Sequence, residues 1–152
     1  MAYRDNAPVS EYMTREVLTV TPDTPVPQIV SVLAGQAISG LPVVEGDRVV
    51  GIISEGDLVM REKPLHMPAA ISFLGEALLF ESRKQIDDEF RRHFGATAGD
   101  IMTREVVTIE PDMLLSQAAQ IMVDKDVKRL PVVDNGRLVG ILTRKDLVRA
   151  LL

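Results

Sequence analysis

Two short stretches of the chain place a hydroxyl group and a carboxylate at the same spacing after an apolar run. The first runs from Gly51 to Asp57 (Gly-Ile-Ile-Ser-Glu-Gly-Asp), and the second runs from Gly140 to Asp146 (Gly-Ile-Leu-Thr-Arg-Lys-Asp). In each stretch a predicted strand ends in Ser or Thr, and Asp follows three residues later at a predicted helix start. One interpretation is a capping box, which contributes about 1 kcal/mol per helix. The other is a ligand site, in which the hydroxyl and free amides bind a phosphate and the carboxylate holds ribose hydroxyls.

Both stretches belong to an internal duplication. Residues 12–61 align with residues 101–150 at a constant offset of 89 without a gap, and 20 of the 50 paired positions are identical. The recurring motifs are Met-Thr-Arg-Glu-Val, Pro-Asp, Leu-Pro-Val-Val, Val-Gly-Ile and Asp-Leu-Val. A unit of about 50 residues buries too little surface to be stable alone. We therefore expect the two units to pack on each other and to form two related clefts, which are natural ligand sites.

The composition is that of an ordinary globular protein, with 46% hydrophobic residues, 26% charged residues and a net charge of −5. The absence of cysteine excludes disulfides and thiolate zinc sites. The acidic balance disfavours a nucleic-acid partner. The first residues lack the apolar stretch of a signal peptide, and no apolar run reaches the length of a membrane span. We therefore expect a cytoplasmic protein without a membrane partner.

Each copy predicts the same order of elements, β-α-β-β-α. An extended run (17–20 in the first copy) leads to Pro-Asp and a helix, which we expect Thr24 to cap in the first copy and Asp112 in the second. Two short apolar strands follow, joined by a tight turn at 45–47 and at 134–136. The last helix begins after Ser or Thr of the stretches described above.

Residues 62–99 interrupt the repeat between a first unit at 8–61 and a second unit at 100–152. All four phenylalanines lie in this middle segment, on predicted helices at 69–80 and 83–94. Their apolar faces either cover the core of the module or form a dimer or partner interface. His66 and His93 lack ligand-like neighbours, so we predict no metal site.

The duplicated β-α-β-β-α unit, the Leu-Pro-Val-Val strand and the Gly-apolar-apolar-(Ser/Thr)-x-x-Asp ending together resemble tandem CBS domains. This family is named for cystathionine beta-synthase, and the pair is called a Bateman module. The resemblance covers about residues 8–61 and 97–152. It implies an α/β (α+β) fold of two pseudo-symmetric CBS units with a helical insertion between them, and a flat homodimer.

The resemblance also implies a function. Tandem CBS domains bind adenosine-containing ligands, usually AMP, ADP or ATP and sometimes NAD or S-adenosylmethionine, in the clefts between their halves. The chain would then be a stand-alone regulatory module without an obligatory cofactor. Because it carries no effector domain of its own, it would signal to a separate effector protein that the sequence does not identify.

Carried over residue by residue, the resemblance implies a first cleft with contributions from both copies. Asp146 would hold the ribose, Thr143 would bind the phosphate, and apolar side chains would sandwich the adenine. Positive charge near the phosphate would come from Arg144 and Lys145. The first copy would add Val20, Thr24, Ile29, Ile38 and Ser39.

The second implied cleft departs from the pattern of the family. It would combine Ser54, Gly56 and Asp57 of the first copy with Met113, Ala118, Val127 and Lys128 of the second. Met113 replaces the usual Thr, Lys128 replaces a small polar residue, and Glu55 adds a negative charge, for which Lys128 or Arg129 would compensate. We therefore expect the first cleft to bind nucleotide more tightly.

Catalysis is not predicted. The sequence has no cysteine nucleophile, Gly-x-Ser-x-Gly elbow, Walker loop or His-Glu-x-x-His motif, so no residue is assigned a catalytic role. Arg15 and Arg104 occupy matching Met-Thr-Arg turns, where an arginine either reaches a phosphate or is solvated or ion-paired. The alternative function is a dimeric protein-interaction scaffold with no physiological nucleotide.

Overall fold

The computed structural model describes residues 7–36, 38–60 and 97–152. The predicted helices at 69–80 and 83–94, the four phenylalanines and both histidines lie outside the described residues. The first copy forms α1 (Val26–Gly35), β1 (Gly40–Glu45), β2 (Arg48–Ser54) and α2 (Glu55–Met60). The second forms α3 (Ala98–Ile101), α4 (Leu115–Asp124), β3 (Arg129–Asp134), β4 (Arg137–Thr143) and α5 (Arg144–Arg149), and a 3-10 turn at Val9–Glu11 precedes the first copy. The expected mixed α/β fold with two repeats is confirmed.

Each copy contains a two-stranded hairpin with a two-residue turn, β1–β2 and β3–β4. Asn135 and Gly136 both have positive φ, at 50° and 82°, as a type I′ turn requires. In the first copy Gly46 has a φ of 61°, which glycine adopts without steric cost. The turns predicted at 45–47 and 134–136 are therefore confirmed, and they fix the ends of the strands that lead to the two Asp motifs.

The predicted first strand of each copy is reduced to a single parallel bridge, Val20 with Val43 and Ile109 with Val132. The Val20 N–H donates to the Pro42 carbonyl over 3.1 Å, and the Val44 N–H donates to the Val20 carbonyl over 2.8 Å. Extension of this ladder on either side would need an N–H from Pro22 or Pro42, and proline has none. Pro111 and Pro131 impose the same limit on the second copy.

The predicted caps of the helices that follow are wrong. The N-cap of α1 is Pro25, while the Thr24 Oγ1 accepts a bond from the Thr21 N–H over 3.0 Å within the preceding turn. Helix α4 begins at Leu115 rather than at residue 113, and the Gln117 side-chain oxygen accepts a bond from the Leu114 N–H over 3.2 Å. In both copies the residues directly after Pro-Asp, which were predicted to start the helix, form a turn instead.

The described residues divide into two compact units that do not coincide with the sequence repeats. One unit contains residues 7–18, 46–49 and 106–152, and the other contains 19–45 (without 37), 50–60 and 97–105. The lead-in segment of each copy (7–18 and 97–105) therefore belongs to the compact unit built on the other copy. Each unit has its own hydrophobic core, in which Val9 and Met13 pack in the first unit and Ala98, Ile101 and Met102 in the second.

The Met-Thr-Arg and Val-Gly-Ile motifs recur because they fit each other within each unit. Thr14 and Ile141 exchange two backbone hydrogen bonds of 2.9 Å, and Thr103 and Ile52 do the same at 2.9 and 3.0 Å. A Cβ on Gly140 would lie 2.6 Å from the Met13 Sδ, and a Cβ on Gly51 would lie 2.5 Å from the Met102 Sδ. Both positions need glycine because the buried methionine side chain covers the strand there.

Candidate ligand-binding half-sites

Asp146 lies at the junction of β4 and α5, where its carboxylate closes the predicted capping motif. Its Oδ2 accepts bonds from the Thr143 N–H over 2.9 Å and from the Thr143 hydroxyl over 3.1 Å. Its Oδ1 accepts a bond from Arg149 Nη2 over 3.0 Å. With 4% of its surface exposed, Asp146 is the one buried charged side chain among the described residues. Thr143 is half-buried, and Arg144 and Lys145 are exposed.

Asp57 lies at the corresponding junction of β2 and α2 and makes the same local bonds. The Ser54 N–H donates to its Oδ2 over 2.8 Å and the Ser54 hydroxyl over 3.3 Å, while the Asp57 N–H donates to the Ser54 Oγ over 3.4 Å. Its Oδ1 accepts a bond from the Thr103 hydroxyl over 3.1 Å. Ser54 and Asp57 are half-buried, and Gly56 is exposed.

The two carboxylates therefore differ in what holds Oδ1. A neutral hydroxyl from the lead-in segment 97–105 contacts Asp57, whereas a guanidinium from the same helix contacts Asp146. Arg149 also donates to the Tyr12 carbonyl over 2.9 Å and so connects α5 to the lead-in segment 7–18. The repeat offset pairs Arg149 with Met60, so the charged contact has no counterpart in the first copy.

The residues before each Leu-Pro-Val-Val strand lie beside the Asp motif of their own copy. Arg129 is the antiparallel partner of Thr143, and the Glu55 N–H donates to the Ser39 carbonyl over 3.0 Å. Directly opposite residues project from the same face of a hairpin. Lys128, which the sequence grouped with Asp57, directly precedes Arg129 and belongs to the same compact unit as Asp146.

We name the two groups by their carboxylates. The Asp146 half-site consists of Thr143 and Asp146 with four cationic neighbours, Arg129, Arg144, Lys145 and Arg149. The Asp57 half-site consists of Ser54 and Asp57 with Gly40, Glu55, Gly56 and Met60 at the corresponding positions. The duplication thus has four positive charges around one carboxylate and one added negative charge beside the other.

Several predicted site residues belong to the cores. Val20 and Ile29 are buried in the core of the second unit, and Ala118 is buried in that of the first. Ile38 and Val127 are only partly buried and border the same cores. Met113 is partly buried, and its carbonyl accepts a bond from the Val9 N–H over 2.8 Å. Thr24 is also half-buried, at the turn before α1.

Each predicted cleft takes its residues from both compact units, so the pairing of the two halves stays a prediction. The arginines of the Met-Thr-Arg turns have a local role. Arg15 donates to the Ser10 carbonyl over 3.1 Å, and Arg104 donates to the Gly99 carbonyl over 3.2 Å. Each arginine closes its own lead-in turn.

Three residues of the half-sites were missed from the sequence. Arg149 follows Asp146 by three residues, a helical spacing at which side chains meet, so this signal was present. Thr103 lies far along the chain from Asp57, and no local pattern connects them. Arg129 was predicted only to compensate for Glu55. Strand partners counted from the 135–136 turn would pair Arg129 with Leu142. An irregularity between Val132 and Val133 shifts the register by one residue and brings it opposite Thr143.

Over the described residues, no group of three or more His, Cys, Asp or Glu side chains is placed to hold a metal ion. No helix in the same part of the chain is long and apolar enough to cross a membrane.

Comparison with known proteins gives matches over nearly the whole chain. The family model for the CBS domain matches residues 9–64 and 98–152. MJ1426, an uncharacterized protein of Methanocaldococcus jannaschii, is 33% identical over 147 residues, which cover 91% of this chain and 88% of that protein. The crystal structure of Arabidopsis thaliana CBSX2 in complex with AMP has a TM-score of 0.70 at 28% identity and covers 95% of both chains.

A third match is to part of an enzyme. Inosine-5'-monophosphate dehydrogenase of Thermoplasma acidophilum is 29% identical over 135 residues, which cover 88% of this chain but only 21% of the enzyme. The similarity therefore concerns a minor part of the dehydrogenase and does not indicate its reaction.

Proposed function

Because the chain belongs to the CBS-domain family, as a tandem pair of the two domains, we propose that it is a regulatory module that binds an adenosine-containing ligand. The observation that supports this most directly is the Asp146 half-site, where a buried carboxylate and a half-buried hydroxyl lie among four cations. A carboxylate suits the paired hydroxyls of a ribose, and cations suit a phosphate. The structure of CBSX2 in complex with AMP is similar to this chain over almost the full length of both, and it supports the same ligand class.

The proposed roles follow from the chemistry of each side chain. Asp146 binds the ribose hydroxyls. The Thr143 hydroxyl gives up its bond to the Asp146 carboxylate and donates to the phosphate instead. Arg144 and Lys145 supply positive charge to the phosphate. Because Ile29, Val20 and Ala118 serve the cores, we assign the adenine contact first to the partly buried Ile38 and Val127.

The charge difference between the half-sites predicts which of them binds a nucleotide first. A nucleotide phosphate is attracted by the cations of the Asp146 half-site and repelled by Glu55 at the Asp57 half-site. We therefore propose that AMP, ADP or ATP binds first through Thr143 and Asp146. A ligand without phosphate charge, such as S-adenosylmethionine, is not repelled by Glu55. For NAD we expect a repulsion between that of the nucleotides and that of S-adenosylmethionine.

A thermal-shift screen tests the proposed ligand class. The ligands are AMP, ADP, ATP, NAD and S-adenosylmethionine, with GMP and inorganic phosphate as controls for base and charge. A ligand present at 100 times its Kd stabilises the folded state by about 2.7 kcal/mol, which raises Tm by several degrees for a chain of this size. We expect a rise with at least one adenine nucleotide and none with phosphate alone. The absence of any rise would favour the protein-interaction scaffold.

We also propose that the module works as a cytoplasmic homodimer, without catalysis of its own, and acts on a separate effector protein. Apolar side chains remain exposed on the first unit of the monomer, on α4 at Val123 and at the end of the chain at Val148, Leu151 and Leu152. Exposed apolar surface of this kind is typical of protein interfaces. Light scattering of the purified protein tests the dimer, and a monomeric mass at micromolar concentration would contradict it.

A further inference from the structure

The bonding of Asp146 leaves little capacity for a ligand. A carboxylate offers about four lone-pair sites. Three of those sites are used, two on Oδ2 by Thr143 and one on Oδ1 by Arg149. The two hydroxyls of a ribose need two acceptor sites, so one of the present donors has to leave before both hydroxyls bind.

When no phosphate is present to take the Thr143 hydroxyl, Arg149 is the donor whose removal costs the capping motif least. The Thr143 N–H is part of the backbone and stays in place, and its bond holds the start of α5. The Arg149 side chain is 61% exposed, whereas that of Asp146 is 6% exposed, so a displaced guanidinium regains contact with water. However, Arg149 Nη2 is held at two points, by the Asp146 Oδ1 at 3.0 Å and by the Tyr12 carbonyl at 2.9 Å.

We propose that Arg149 is an internal competitor for the ribose hydroxyls at Asp146 and thereby makes this half-site select phosphorylated nucleosides over adenosine. This inference rests on the proposed function, in which Asp146 binds the ribose. A nucleotide can leave Arg149 in place, because its phosphate takes the Thr143 hydroxyl and thereby frees a second acceptor site on Asp146. Adenosine has no phosphate to take that hydroxyl, so both of its ribose hydroxyls bind only when Arg149 is displaced.

The first copy has no charged competitor of this kind. Asp57 Oδ1 is contacted by the exposed Thr103 hydroxyl, a neutral group that rotates away easily and is a weaker partner than a guanidinium. The residue at the repeat position of Arg149 is Met60. Selection against adenosine therefore applies at Asp146 and not at Asp57.

Calorimetric titration of adenosine into Arg149→Met tests the inference, in an Asp57→Ala background so that only the Asp146 half-site reports. We expect adenosine to bind about threefold to tenfold more tightly than in the background protein, as the loss of one partly exposed ion pair predicts. Arg149→Lys keeps a cation at this position, and we expect its adenosine affinity to stay within about twofold of the background. Arg137→Met removes an exposed cation at the opposite end of β4 and is the control for net charge, with no change expected.

The outcomes separate the inference from the proposed function. If Asp146→Ala abolishes AMP binding but Arg149→Met leaves adenosine affinity unchanged or weaker, the competitor role is wrong and the ligand site stands. If neither AMP nor adenosine binds to the wild type or any variant, both are wrong. Thermal unfolding of each variant is measured in parallel, and Arg149→Gln, with the same expected tightening, replaces Arg149→Met if that variant does not fold.

Discussion

At the scale of single residues, the two interpretations of the Ser/Thr-x-x-Asp spacing are not exclusive. The capping interpretation is confirmed, because the Ser54 and Thr143 N–H groups donate to their aspartates over 2.8 and 2.9 Å. This could be predicted because all its partners lie within one turn of helix. The third partners, Thr103 and Arg149, decide how much acceptor capacity remains on each carboxylate, and neither was predicted in this role. The ligand interpretation stays a proposal at both positions.

The capping role predicts a measurable effect on stability. Asp57→Ala removes the acceptor of the Ser54 N–H and of the Thr103 hydroxyl, and we expect the free energy of unfolding to fall by about 1–2 kcal/mol. Glu55→Ala, an exposed change on the same helix, is the matched control and should alter it by less than about 0.5 kcal/mol. Urea unfolding followed by circular dichroism measures both. Equal effects of the two substitutions would show that the Asp57 bonds contribute nothing specific.

At the scale of elements, the sequence predicted the strands and hairpin turns well and the alignment of the strands poorly. The turns were predictable because Asn135-Gly136 and Gly46 supply positive φ locally. The single bridges at Val20 and Ile109 depend on the prolines that lack an N–H on the two sides of each bridge, and the register shift in β3–β4 has no local sequence signal. Those contacts join residues distant in sequence, so no periodicity reports them.

The fit between the Met-Thr-Arg and Val-Gly-Ile motifs predicts a steric effect. Gly140→Ala places a Cβ 2.6 Å from the Met13 Sδ and 3.1 Å from the Thr14 carbonyl oxygen, so we expect a loss of about 1–3 kcal/mol in unfolding free energy. Gly35→Ala, at the end of α1, has no atom within 4 Å of the added Cβ and should be neutral or slightly stabilising.

A double-mutant cycle checks the origin of that loss. If the clash with Met13 causes it, Gly140→Ala costs less in a Met13→Ala background than in the wild type. Additive costs would place the effect in the strand backbone instead.

At the scale of the whole molecule, the boundaries of the sequence repeats differ from those of the compact units. Lead-in segment 7–18 supplies Val9 and Met13 to the core around the second copy, and segment 97–105 supplies Ile101 and Met102 to the core around the first. The duplication predicted two similar units correctly. It could not predict this assignment of the lead-in segments, because identical motifs in both copies fit either core equally well.

This assignment predicts that neither copy is complete alone. A fragment of residues 97–152 lacks Val9 and Met13, whose removal opens the core of its unit, so we expect it to be unfolded by circular dichroism. Addition of a fragment of residues 1–60 should restore structure in an equimolar mixture. Cooperative thermal unfolding of the 97–152 fragment by itself would contradict the prediction.

The central claim is that an adenine nucleotide binds through Asp146, and calorimetric titration of AMP tests it most directly. We expect AMP to bind to the wild type with measurable heat, to bind to Asp57→Ala with an affinity within a few fold of the wild type, and to lose binding to Asp146→Ala while that variant remains folded. Retained binding in Asp146→Ala together with loss in Asp57→Ala would contradict the assignment of the nucleotide to the Asp146 half-site.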